Sequence, residues 1–178
     1  MKKNDIKNLV LAALFLALAY TLPFLTGQIQ QIGKMLCPMH FPVIICGFVC
    51  GPLWGLVVGF LAPLLRSLTL GMPVFYPSAL CMAFELAAYG AFAALMFKLL
   101  PKKPVSVYID LLVAMILGRL VWGGVMYLCM GVAGTEFGIQ AFLAGVLLNS
   151  LPGIVLQILI IPPLVMALCG IKKKAHES

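Results

Sequence analysis

The stretch from Lys34 to Glu85, KMLCPMHFPVIICGFVCGPLWGLVVGFLAPLLRSLTLGMPVFYPSALCMAFE, limits the possible folds more than any other part of the chain. It is apolar enough to lie in a bilayer, yet it carries Lys34, His40, Arg66, Glu85 and six prolines. Hydrocarbon tolerates charge and broken backbone only where protein or a water-filled cavity surrounds them. The stretch therefore reads as the wall of a polar cavity inside a membrane protein, and the other segments as the cage around it.

The rest of the composition agrees. Of 178 residues 63% are apolar and 10% charged, and mean hydropathy is +1.14. A soluble domain has about a quarter of its residues charged, so these polar side chains cannot cover a water-facing surface. The net charge of +7 comes from lysine clusters at 2, 3 and 7, at 98, 102 and 103, and at 172–174. Each flanks an apolar run, which the positive-inside rule explains without nucleic acid. The amino end has the basic flank of a signal peptide, but the apolar run behind it has the length of a span and no small-residue cleavage site, so it reads as a retained first helix. The length leaves no room for a separate soluble domain, and any ATP-hydrolysing module is expected on another chain.

Six apolar segments follow, at about 9–25, 36–50, 53–70, 78–99, 108–130 and 139–170. They predict one all-α bundle of six transmembrane helices, with the amino end, the 98–103 loop and the carboxyl end on the cytoplasmic side. Gly47, Gly51, Gly55 and Gly59 recur every four residues across the Gly51-Pro52 turn. That pattern suits two helices pressed together. It equally suits a re-entrant loop, because the second segment is short for a span. Asn149, Pro152, Gly153, Pro162 and Pro163 are expected to bend or break the last segment.

With this topology, Lys34, His40, Arg66, Glu85, Arg119 and Asn149 all fall in the outer half of the membrane and can converge on one pocket. A charge at the bilayer centre costs about 2.5–3.5 kcal/mol on insertion scales. Two readings stand side by side: a ligand-facing role, and an ion pair of Glu85 with Arg119 or Arg66 that only fixes helix packing. Three fixed cations against one carboxylate favour a ligand bearing a carboxylate or phosphate, although Arg66 can also snorkel to the headgroups. Phe75, Tyr76 and Trp122 are the aromatics best placed to cover a ring.

Enzyme signatures are absent: the chain has no G-x-S-x-G, no H-E-x-x-H and no phosphate-binding glycine loop. No cofactor is called for. Cys37, Cys46, Cys50, Cys81, Cys129 and Cys169 include no C-x-x-C pair and read as small apolar packers, with no metal role.

The basic-flanked six-helix pattern, Ala13-x-x-x-Ala17 in the first helix, the polar first loop, PMHFPVIICGFVCGPLWGLVVGFLAPLLRSLTLGMP and AFELAAYG together resemble the substrate-binding S component of an energy-coupling factor (ECF) vitamin transporter. The resemblance covers almost the whole chain, is most specific over 38–90, and is closest to the branch with riboflavin and pantothenate binders. It implies high-affinity capture of a water-soluble vitamin from outside, at the cell membrane. It also implies partnership with a membrane coupling subunit and two ATPases, a docking face at Ala13 and Ala17, and a gate at 27–40. The positive excess favours an anionic, pantothenate-like cargo over riboflavin or a pyridoxine-like ring. A small structural or channel-forming membrane protein, its charges serving only to pair helices, is the alternative.

Overall fold

The computed structural model describes residues 3–26, 37–101, 103–132 and 151–170. Among these, all regular structure is helical: α1 (Lys3–Thr21), α2 (His40–Cys50), α3 (Pro52–Leu70), α4 (Leu80–Leu99), α5 (Pro104–Val132) and α6 (Leu151–Cys169). Five stretches are long and apolar enough to cross a membrane: Asp5–Phe24, Pro52–Leu70, Phe75–Leu99, Pro104–Gly131 and Pro152–Cys169. α2 has only 11 residues, about 17 Å of helix against a hydrocarbon core of about 30 Å.

Local chemistry explains most of the helix boundaries. Cys37 has a left-handed φ of 47°, and its carbonyl accepts the His40 N–H at 3.0 Å, turning the chain into α2. Pro42 falls in the first turn of α2, where the N–H that proline lacks has no helical acceptor. Gly51, at φ 97°, makes the reversal that only glycine adopts freely, and Pro52 opens α3 with its φ already set. α3 ends at Gly71, a left-handed cap whose N–H returns to the Ser67 carbonyl at 2.9 Å. A kinked turn, Phe75–Ala79, with Tyr76 extended, leads into α4. Proline opens α5 as well, and Pro162 and Pro163 lie inside α6.

α4 is the central element and packs against α2, α3 and α5; α1 lies against α2 and α3, and α6 against α2 and α5. At the lysine-bearing end, α2, α3 and α4 meet backbone to backbone. A Cβ on Gly55 would sit 2.6 Å from the Gly90 carbonyl oxygen and 2.8 Å from the Gly47 Cα, and a Cβ on Gly90 would run into the Gly55 carbonyl. The four-residue glycine spacing thus serves a three-helix contact, with Gly90 of AFELAAYG as its third member. Around it lie two apolar clusters. One joins Ala12 and Ala19 of α1 to Val43, Cys46, Val58, Ala62 and Leu86. The other joins Ile44, Phe48, Ala93, Leu111, Ile161 and Val165.

Candidate functional site

Glu85 lies in the second turn of α4 and is 2% exposed. Its Oε1 accepts from Arg119 Nη1 of α5 at 2.8 Å and from the Tyr89 hydroxyl, one turn along α4, at 3.2 Å. Gly118 makes this possible: a Cβ there would collide with the Tyr89 ring. Its absence seats α5 on the ring and brings Arg119 alongside the carboxylate. An ion pair removed from water remains favourable only when hydrogen bonds satisfy it as well, and Tyr89 supplies one.

His40, the first residue of α2, packs its ring on Tyr89 with centroids 5.1 Å apart and planes at 57°. Its Nε2 stands 3.8 Å from the same Glu85 oxygen, near enough for charge to be felt and too far for a hydrogen bond. Both His40 nitrogens and Arg119 Nε are buried and have no hydrogen-bond partner among the described residues. Cys37, in the turn before α2, has Arg119 and Glu85 as its charged neighbours. Three helices and one turn thus place an ion pair, an imidazole and a phenol together near mid-bundle, with several donor and acceptor edges uncommitted.

The remaining predicted residues are distributed differently. Arg66 does not join the cluster. Its Nη1 donates to the Tyr20 carbonyl at 2.8 Å, and its guanidinium lies 4.9 Å above the Phe24 ring. It therefore serves a carbonyl at the end of α1, where helical acceptors lack partners, and the adjacent Tyr20 hydroxyl is 3.0 Å from Thr69 Oγ1. Trp122 stands one turn beyond Arg119 on α5, half-buried against Cys81, Met126 and Cys129. The Tyr76 hydroxyl donates to the Cys129 carbonyl at 2.5 Å, while Phe75 remains half-exposed. Lys34, Asn149 and most of the 27–40 loop lie outside the described residues. Ala13 and Ala17 are exposed on α1, on the side away from the buried Ala12 and Ala19.

Among the described residues, four buried polar ones escaped sequence reasoning: Ser67, Ser106, Asp110 and Gln157. Asp110 of α5 and Gln157 of α6 are almost wholly buried, and the Asp110 oxygens and Gln157 Oε1 have no hydrogen-bond partner among the described residues. Asp110 is six residues into its helix, close to the lysine loop, where a carboxylate in sequence reads as interfacial. Among the described residues no group of three His, Cys, Asp or Glu side chains gathers in a way that suits a metal ion.

A search of curated proteins and a search of solved structures return no match. The family model described as "ECF transporter, substrate-specific component" matches residues 7–165. With that match spanning nearly the whole chain and a helical bundle holding a buried polar cluster, the chain belongs to the substrate-specific components of ECF transporters.

Proposed function

We propose that the protein captures a water-soluble vitamin or related small molecule, with the cluster of Glu85, Arg119, His40 and Tyr89 lining its cargo site. The observation that carries this reading is the set of polar edges without a partner among the described residues, beside a satisfied ion pair. An ion pair serving only helix packing needs no neighbouring imidazole with two bare nitrogens. A buried polar group without a partner costs about 1–3 kcal/mol, which cargo hydrogen bonds would return on binding. Tyr76 and Trp122 are the aromatic cover, and Lys34 and Asn149 complete the candidate set.

Glu85 offsets the charge of Arg119, and Arg66 is committed to α1. An anionic, pantothenate-like cargo would therefore draw its countercharge from Lys34. The amino end, the 98–103 loop and the carboxyl end are assigned to the cytoplasm of a bacterial cell by their lysines. The exposed face bearing Ala13 and Ala17 is assigned to the membrane coupling subunit, because small residues allow close helix approach in lipid. ATP hydrolysis is assigned to two separate ATPase subunits.

The test is a thermal-shift and tryptophan-quenching screen of detergent-purified protein against the water-soluble vitamins. A hit that weakens in His40→Phe supports the site, and a carboxylate-bearing hit that weakens in Lys34→Ala supports the anionic cargo. Binding of riboflavin or a pyridoxine alone would remove the anionic reading. No hit from folded protein would return weight to a purely structural role for the charges.

A further inference from the structure

The far ends of α4 and α5 hold a second cluster with different chemistry. Cys81, the second residue of α4, is fully buried; Met126 and Cys129, three apart on α5, are less than a tenth exposed. The Cys81 thiol donates to Met126 Sδ at 3.9 Å, and Cys129, one turn along α5 from Met126, packs in the same buried cluster. Leu80, Trp122, Val125 and Met130 close around the three sulfurs.

Metal–thiolate bonds are about 2.3 Å long, so two sulfurs sharing one ion at trigonal or tetrahedral angles stand about 3.8–4.0 Å apart. The 3.9 Å between Cys81 and Met126 matches. Thiols and a thioether are soft ligands, the kind that select Cu(I) among biological metals. Charge also balances. One thiol loses its proton to water as the Cu(I)–sulfur bond forms, while the second thiol and the thioether donate as neutral ligands. No atom changes oxidation state, and the filled site carries no net charge, as an apolar environment demands. A structural zinc site would need a fourth ligand, typically with more thiolates.

We propose that Cys81, Met126 and Cys129 form a three-sulfur site for monovalent copper. Glu85 follows Cys81 by one helical turn, and Arg119 precedes Met126 by two. A bound ion therefore ties α4 to α5 on the far side of the ion pair, beside the turn whose Tyr76 is anchored on Cys129. The inference stands independently of the cargo reading.

The test titrates reduced, detergent-purified protein anaerobically with Cu(I) against a chromogenic chelator, and repeats the titration with redox-inert Ag(I). One equivalent is expected to bind. Its affinity should fall at least about tenfold in Met126→Leu and in Cys129→Ser, since even an outer-shell partner is worth that much. Leucine conserves the volume of methionine, which keeps the fold intact in that variant. Cys46→Ser/Cys50→Ser and Cys169→Ser should bind as the parent does. The proposal falls if Met126→Leu and Cys129→Ser both bind unchanged, if the ion follows Cys46 and Cys50 instead, or if folded parent protein binds none.

Discussion

α4 passes through two regions built on opposite principles, barely one turn apart. Around Gly90 it meets α2 and α3 through bare backbone, with no side chain between them. On the face that carries Glu85 and Tyr89 it meets Arg119 and His40 through polar and aromatic side chains. The first region has nothing to rearrange and tolerates no added atom. The second holds one settled ion pair beside groups that have no hydrogen-bond partner among the described residues. The contrast separates what holds the bundle together from the cluster proposed to receive cargo.

Substitutions can break that contrast, beginning with the glycine contact. Gly90→Leu should yield no folded protein on size exclusion in detergent, because the obstructing atoms are carbonyls that cannot change rotamer. Recovery of a monodisperse, cooperatively melting variant would show that the helices can separate. Next in size, Glu85→Ala or Arg119→Ala alone should cost about 3–5 kcal/mol of stability by stranding a buried charge. The double replacement should cost clearly less than the sum of the singles, and additivity in thermal unfolding would mean that the pair is not coupled. A milder change, His40→Phe, preserves ring packing on Tyr89. It should weaken cargo binding about tenfold, roughly 1.4 kcal/mol, while the melting temperature of the cargo-free protein holds or rises, since two unpartnered buried nitrogens are removed. Equal loss of both would make His40 a structural residue. Smallest of all, Arg66→Met should cost about 1–2 kcal/mol through the lost carbonyl bond and ring contact. Its cargo affinity should match the parent, and reduced affinity would bring Arg66 back into the site.

Where chemistry follows from residue type and spacing, the sequence was a good guide. Glycines four apart announced close helix approach, and Glu85 and Arg119 stood out because lipid penalises lone charges. His40 was grouped with them by its expected depth in the outer half of the membrane. What escaped depends on partners without an identity in sequence. Arg66 pairs with a main-chain carbonyl, so no side chain in the sequence signals that contact. Cys81 and Cys129 are 48 residues apart in the chain, and only the antiparallel packing of α4 and α5 brings them together. The burial of Asp110 follows from helix rotation, which an apolar stretch this uniform does not encode.

The short length of α2 has a volumetric consequence. At about 17 Å, the described helix falls roughly 13 Å short of the hydrocarbon thickness. A helix with its side chains is about 10 Å across, so the missing portion corresponds to a column on the order of 1,000 Å³. Ligand cavities for small molecules run from about 300 to 1,000 Å³. Among the described residues α2 thus begins partway across the membrane, and its first residue, His40, packs on Tyr89 beside the Glu85–Arg119 pair.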